Sequence, residues 1–420
     1  MTRSIALSGR HARAFGAGVA TSLTAAILLS GCVGASPAAT PDPSSTSSST
    51  GSSAASSTAS SAASSTAAER PVASEGELPG GLRSDLQETV ERTMVEYGVP
   101  GAAVGVWIPG QGTWTSVSGS ADLEKGVAVD PGMQWPLRSI TKSYTVTLVL
   151  QLADEGVISL DDTIDEYVEG VTDGDRITLR ELAGMTSGNA DYTNEDFVAA
   201  FSEDPERIFT LEDLNGFMLG KPARFAPGTE TVYTNANTNL LGAVVEQATG
   251  QPFDAVLKDL ILEPLDQAGT EYIVDASTWD TAHPVGYAPT ADGPEPQAPN
   301  MSVFGPAGSM VSTLDDGRAW AETLATGALL EASTQAERLV GAPLDAGPPY
   351  DLYALGIGKT GGWWGHNGEG FGFTAALFHQ PDTGASVVVF MNLSNEESGA
   401  HPADQLFRRL AAVIESGATP

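Results

Sequence analysis

The sequence predicts an α+β fold: one antiparallel sheet assembled from both ends of the folded chain, with flanking helices and a mostly helical insertion lobe. Two observations carry this. Pairs of strand-like runs joined by turn residues occur near both ends, Ala102 to Ile108 with Thr113 to Gly119, and Phe373 to Gln380 with Ala385 to Asn392. Between them helical signals dominate, and an amphipathic helix stands outside each strand pair, so the two halves are expected to meet in one sheet.

Taken in order, residues 1–32 read as a leader. Arg3, Arg10 and Arg13 form a basic start, and Ala14 to Leu29 is an apolar, small-residue run of signal-peptide length. It ends in Leu29-Ser30-Gly31-Cys32, which resembles the lipobox of bacterial lipoproteins. That resemblance implies that Cys32 becomes the mature N-terminus and carries lipid, giving an extracytoplasmic, membrane-anchored protein. Cys32 is the sole cysteine, so disulfides within the chain and cysteine-based metal sites are excluded. Residues 33–77 are nearly all Ser, Thr, Ala, Gly and Pro at first, too polar to bury a core, and are expected to be a disordered tether. A flexible coil of that length spans roughly 35–40 Å. Residues 78–420 remain as one folded domain. The chain's net charge of −33 argues against nucleic acid as a partner and leaves the lipid on Cys32 as the only expected membrane contact.

The folded part opens with a helix from Ser84 to Tyr97, where Ser84 and Gln87 have capping-box spacing and Gly98 supplies the stop. The first hairpin turns at Pro109-Gly110-Gln111-Gly112, and the last at Pro381-Asp382-Thr383-Gly384. A terminal helix follows, with Leu406, Phe407, Leu410, Val413 and Ile414 on one face.

The chemistry begins in "WPLRSITKSYTVTLVLQLADEG", Trp135 to Gly156. After Ser139 this stretch is almost entirely apolar or hydroxylic, a helix buried on several faces, yet it carries Lys142. A buried ammonium is costly, and a desolvated lysine gives up its proton instead. Three residues apart on a helix, Ser139 and Lys142 share a face. A neutral amine there is placed to take the serine's proton, the serine–lysine form of an activated nucleophile. The spacing alone also fits a surface serine beside a snorkelling lysine; the apolar run behind the pair argues for the chemical reading.

Two further stretches add to it. "FAPGTETVYTNANTNLLGAVVEQATG" holds Tyr233-Thr234-Asn235 before an apolar helix, and "YALGIGKTGGWWGHNGEGFGFTAALF" holds His366-Asn367-Gly368 just before a strand. With Ser139-x-x-Lys142, these motifs resemble those of the penicillin-recognising serine hydrolases, S-x-x-K, Y-x-N and H-x-G or K-T-G. The likeness runs in order over residues 80–415, with "GVISLDDTIDEYV", "ITLRELAGMTSGNADYTN" and "FGPAGSMVSTLDD" in support. Within that superfamily the chain is most similar to soluble D-alanyl-D-alanine carboxypeptidases and class C β-lactamases, which implies a β-lactamase/transpeptidase-like fold.

The resemblance implies that Ser139 forms an acyl-enzyme, and that Lys142 and Tyr233 share the proton traffic, with Tyr233 donating to the leaving group. It implies that Asn235 bonds Lys142 or the substrate amide, and that His366 forms a wall and orients Tyr233. Backbone N–H groups of Ser139 and Glu369 would form the oxyanion hole. Asn367, Gly368, Glu369 and Lys359 join the substrate-binding set, and no cofactor or metal is implied. Tyr192-Thr193-Asn194 repeats the second motif in a polar loop and is assigned a structural role. Lys359-Thr360-Gly361 imitates the third motif without leading into a strand. His283, His379 and His401 are assigned surface roles. Glu369 stands where the family has a hydroxyl that receives a substrate carboxylate: facing the pocket it would disfavour such a substrate by like-charge repulsion, with Lys359 the nearest compensating cation, and turned outward it would offer only its backbone N–H.

Three readings follow. The first is a D-alanyl-D-alanine carboxypeptidase or related D-peptidase acting on peptidoglycan stem peptides. The second is an esterase or β-lactamase of the same fold. The third is a penicillin-binding lipoprotein without significant turnover.

Overall fold

The computed structural model describes residues 76–394 and 401–417. The expected leader, Cys32, and the tether up to residue 75 lie outside the described residues. Among the described residues, no helix is long and apolar enough to cross a membrane.

Helix α1 spans Gly80–Tyr97 and is followed by β1 (Gly101–Ile108) and β2 (Gly112–Asp122), then the two-residue β3 (Val127–Ala128). Helix α1 begins earlier than the capping pattern suggests. Pro79 precedes it, and Ser84 lies inside it with Oγ donating to Gly80 O at 3.0 Å. Gly98 ends the helix at φ 68, a left-handed conformation that glycine adopts without strain.

The insertion lobe supplies α2 (Thr141–Asp154), α3 (Glu195–Glu203), α4 (Asn235–Thr249), α5 (Leu314–Thr326) and α6 (Ala332–Arg338). The chain then returns to the sheet through β4 (Leu352–Tyr353), β5 (Gly358–Thr360), β6 (Trp363–Gly370), β7 (Phe373–Gln380) and β8 (Ala385–Met391), and ends in α7 (Pro402–Gly417).

The eight strands form one antiparallel sheet in the order β3-β2-β1-β8-β7-β6-β5-β4. The N-terminal β1 thus pairs with the C-terminal β8, Val104 opposite Val389. Strand β8 reads Ala-Ser-Val-Val-Val-Phe-Met because both of its faces are covered. Val387, Val389 and Met391 join Leu86 and Val90 of α1 and Leu406, Phe407 and Leu410 of α7. Val388 and Phe390 join the core shared with the insertion lobe. Truncating Phe390 to alanine would cost about 3–5 kcal/mol at such a site.

Helix α2 lies at the centre of the insertion-lobe core, buried continuously from Thr141 through Leu150. That burial explains why its sequence is apolar or hydroxylic on every side. Strand β5 pairs only with Trp363, Trp364 and Gly365 of β6, so residues 366–370 have no strand on that side. The turn before α2 packs against this stretch.

Candidate active site

Ser139 sits in a 3₁₀ turn, Arg138–Ile140, that runs directly into α2. Arg138 holds φ 52, a left-handed conformation costing about 1–3 kcal/mol for a non-glycine residue. Its buried guanidinium secures the turn: Nε donates to Gly370 O at 3.0 Å, and the Phe304 ring lies 4.6 Å below the charge. Leu137 N donates to Met310 O on the other flank at 2.8 Å. Ser143 is likewise structural, its hydroxyl bridging Ile140 O and Trp320 Nε1.

Lys142 is wholly buried, and its amine has three neighbours. Ser139 Oγ is at 2.9 Å, Asn235 Oδ1 at 2.7 Å and Ala307 O at 3.0 Å. Burial pulls its pKa down from the ordinary lysine value to about 7, against the charge of Asp191, which pushes it up. The neighbours then dictate how the neutral amine is oriented. Both carbonyl oxygens only accept, so they take its two N–H bonds, and the lone pair is left for the Ser139 hydroxyl, the one neighbour able to donate.

Tyr233 and Asn235 reach the site from the segment entering α4. Tyr233 N donates to Ala346 O at 2.9 Å, which ties the segment to the loop before β4. The Lys142 amine lies 4.9 Å from the Tyr233 ring centroid. The Tyr233 hydroxyl is buried with no hydrogen bond of good geometry among the described residues. Burial raises its pKa, and the neighbouring Ser139 offsets this only in part. Tyr233 therefore keeps its proton, which suits a donor and not a base.

Asp191 fixes the same segment. Its Oδ2 accepts from Thr234 Oγ1 at 2.7 Å and from Asn235 N at 2.8 Å, while Oδ1 accepts from Thr193 N and Oγ1, both at 3.2 Å. The second Tyr-Thr-Asn copy is next door and builds the loop: Tyr192 Oη donates to Val303 O, and Asn194 caps α3.

The third motif departs from expectation in several respects. His366-Asn367-Gly368 lies within β6, one hairpin before β7, rather than just ahead of a strand. Lys359-Thr360-Gly361 does begin on a strand, β5, where Lys359 stands opposite Trp364 and its amine lies 5.3 Å over that ring.

His366 does not hydrogen-bond Tyr233. Its Nδ1 donates to Asn367 O at 2.5 Å, which fixes the tautomer, and its Nε2 then accepts from Tyr353 Oη at 3.1 Å. Orientation of Tyr233 passes through Tyr353, whose ring meets Tyr233 edge-on at 5.6 Å. Burial lowers the His366 pKa to about 3, so the ring is neutral.

Asn367, expected in the substrate-binding set, is buried and engaged within the protein: its Oδ1 accepts from Tyr350 Oη at 2.6 Å and its Nδ2 faces Asp404 of α7 at 3.3 Å. The two faces of a strand alternate, so Glu369, half-buried, falls on the Asn367 side. The cross-strand pairs agree, with Asn367 opposite Ala376 of the α7-side core and Glu369 opposite Thr374 in the same alternation. Gly368 occupies the other side, where a Cβ would collide with Leu137 O and come 3.0 Å from Ser139 N. The expected repulsion between Glu369 and a substrate carboxylate loses its geometric basis.

The sequence reading missed four participants: Asp191, the Ala307 carbonyl, Tyr350 and Tyr353. The first two lie in stretches flagged only as supporting, and the tyrosines have no local pattern to mark them. His379 is buried rather than superficial, bonded to Ser386 Oγ at 2.9 Å, and burial lowers its pKa to about 4. No group of three or more metal-ligating side chains occurs among the described residues.

Comparison with known proteins identifies the family and the fold. The family model described as Beta-lactamase matches residues 86–411. The D-aminopeptidase of Brucella anthropi is 30% identical over 321 residues, covering 74% of this chain and 59% of that protein. The chain thus spans about three fifths of that curated relative's length, and 49% of others it matches. Among solved structures, a D-stereospecific amidohydrolase from Streptomyces sp. superposes with a TM-score of 0.68 at 27% identity, covering 80% of this chain and 98% of that one. A D-amino acid amidase from Ochrobactrum anthropi SV3, complexed with L-phenylalanine amide, shares the fold at 22% identity and a TM-score of 0.72, covering 81% of this chain and 100% of that one.

Proposed function

This chain belongs to the Beta-lactamase family, and from that premise we propose that it is a serine hydrolase that cleaves amide bonds of D-amino acid derivatives through an acyl-enzyme on Ser139. The observation carrying the mechanism is the buried Lys142 amine, within hydrogen-bond distance of two carbonyl oxygens and of Ser139 Oγ, an arrangement that leaves the neutral amine's lone pair for the serine hydroxyl. Support for the substrate class comes from the likeness to a D-aminopeptidase and a D-stereospecific amidohydrolase.

In the first step the Ser139 Oγ–H proton passes to Lys142 as Oγ bonds to the amide carbon and the carbonyl electron pair moves onto oxygen. The backbone N–H groups of Ser139 and Glu369 receive that oxyanion. Collapse re-forms the carbonyl and breaks the C–N bond. The departing nitrogen takes the Tyr233 hydroxyl proton, and Lys142 returns its proton to Tyr233. Water then attacks the ester with Lys142 as base, and Ser139 leaves with the proton. Asn235 orients Lys142, and His366 supports Tyr233 through Tyr353. An extracytoplasmic location with a lipid anchor on Cys32 is proposed from the Leu29–Cys32 sequence alone.

A second reading, the D-alanyl-D-alanine carboxypeptidase, gains from one observation. Glu369 lies on the Asn367 side of β6, away from Ser139, so a substrate carboxylate meets no like charge from it. Lys359 is the cation that would receive such a carboxylate.

The test is a substrate panel: the amides of D- and L-phenylalanine, an N-acylated peptide ending in D-Ala-D-Ala, a neutral ester and a fluorescent penicillin, each with wild type and Ser139→Ala. The proposal expects the D-amide to be favoured over the L-amide by roughly a hundredfold or more. Preference for the blocked peptide selects the carboxypeptidase, and rapid penicillin turnover the β-lactamase. Preference for the ester selects an esterase, and stable labelling without turnover a penicillin-binding protein. Activity persisting in Ser139→Ala would remove the acyl-enzyme altogether.

A further inference from the structure

We propose that Asp191 is a positioning residue of this site: its carboxylate locks the Tyr233–Asn235 segment in place and supplies negative charge to the pocket around the Lys142 amine. The inference rests on the acyl-enzyme reading of Ser139 and Lys142.

The geometry carries it. All four hydrogen bonds to the Asp191 carboxylate come from two threonine-containing segments, and two of them end on Thr234 and Asn235. Asn235 is the residue whose Oδ1 takes a proton of Lys142 at 2.7 Å. Asp191 is thus one covalent residue removed from the catalytic amine, and it fixes the backbone from which Asn235 projects. The start of α4, where backbone N–H groups carry partial positive charge, is a favourable place for the Asp191 carboxylate, which accepts from Asn235 N.

Among the described residues, the other groups around Lys142 do not supply a compensating anion. From its own turn come Ser139, which is neutral, and Arg138, whose guanidinium is directed to Gly370 O. The segment entering α4 brings Asn235 and the protonated Tyr233. The turn Gly305–Ala307 brings a carbonyl. Strand β6 brings His366, which is neutral, and α6 brings Arg338, a cation bonded to Ser143 O at 3.3 Å. Asp191 is the anion that acts on Lys142, in the sense of raising its pKa against burial, and it acts on Tyr233 in the same sense.

Both effects serve one purpose. Without the anion, the buried amine would be a weaker base, too reluctant to take and hold the serine's proton. Tyr233 would also lose part of what keeps it protonated. The effect is electrostatic as well as mechanical, and this separates it from a loop-building role.

The experiment measures the second-order rate of Ser139 labelling by a fluorophosphonate probe from pH 5 to 9, in wild type, Asp191→Asn and Asp191→Glu. Asparagine keeps an acceptor for Thr234 and Asn235, and the Thr193 hydroxyl can turn to accept from its new amide, while the Thr193 N–H loses its acceptor. The rate requires neutral Lys142, so it rises with pH through the Lys142 pKa. Removing the anion lowers that pKa, and the acid limb in Asp191→Asn is expected to move to lower pH by roughly half a unit or more, with a reduced plateau. Asp191→Glu is expected to bring the limb back towards the wild-type position. An Asp191→Asn limb unmoved from wild type overturns the proposal, whatever happens to the plateau. Should Asp191→Asn not fold, an Asp191→Glu limb displaced as far as half a unit from wild type overturns it instead. Ser139→Ala serves as the separate control: labelling that survives it defeats the acyl-enzyme reading itself, whereas lost labelling with an unmoved limb defeats only the role of Asp191.

Discussion

Gly368 runs so close to Ser139 that a Cβ built on it would lie 3.0 Å from the Ser139 backbone nitrogen and strike the Leu137 carbonyl oxygen. The Ser139 turn and β6 are therefore in backbone contact, and a glycine is required for steric reasons rather than for its φ. Gly368→Ala should push the turn off the strand. Stability should fall by about 1–3 kcal/mol, as for other overpacked sites. Acylation should fall further, by roughly a hundredfold, because a shift of about 1 Å in a reacting group has that effect. Rates of probe labelling beside urea midpoints check this. An alanine variant that labels at the wild-type rate would show that the contact plays no part in positioning Ser139.

Lys142, with its pKa drawn down to about 7 by burial, should be visible in the pH profile of kcat/KM. The active form is the neutral amine, so the rate should be level above that pKa and fall about tenfold per unit below it. Lys142→Ala should lose about 10²–10⁴-fold in acylation. Lys359→Ala, whose amine lies over Trp364, should leave labelling by a neutral probe nearly unchanged. An equal loss at Lys359 with little at Lys142 would mean that the wrong lysine has been assigned as base.

His366 should contribute to acid sensitivity without contributing to the rate profile. Its folded pKa is lowered from 6.5 to about 3 by burial, so in the unfolded chain it binds a proton that the folded chain refuses. Its stabilising contribution is thus complete above pH 6.5 and declines as pH falls from there towards 3, at up to about 1.4 kcal/mol per pH unit. His379, lowered to about 4, acts in the same direction. Urea midpoints at pH 7, 5.5 and 4.5 should therefore fall more steeply in wild type than in His366→Gln. Parallel lines for the two proteins would show that His366 is not buried in its neutral form.

Glu369→Thr should leave specificity where it is. The side chain shares the Asn367 side of β6, so its charge does not face the acyl group held at Ser139. The ratio of kcat/KM for the blocked D-Ala-D-Ala peptide to that for a neutral ester is expected to change less than about threefold. A carboxylate facing the substrate would instead shift that ratio by roughly ten- to hundredfold on removal, and such a shift would overturn the strand-face assignment.

Much of this was legible in the sequence. The strand pairs at the two ends and the burial of α2 follow from periodicity and turn residues, and Ser139, Lys142, Tyr233 and Asn235 stand in short motifs that resemble those of the family. All of these are local properties, set by a few neighbouring residues. Local patterns also misled at their edges: Ser84 has capping-box spacing yet lies inside α1, because Pro79 offers an earlier start.

Tertiary structure decided what the residues face. Lys142 meets Asn235 and Ala307 across separations of 93 and 165 positions, and only those two carbonyls determine where its lone pair points. The His366 tautomer, the link from Tyr353 to Tyr233, the side taken by Glu369 and the link from Asp191 through Asn235 to the Lys142 amine were settled in the same way. A sequence specifies which groups a segment carries and with what period. Direction, burial and partner arise when distant segments close around one another, and proton affinity follows from those three.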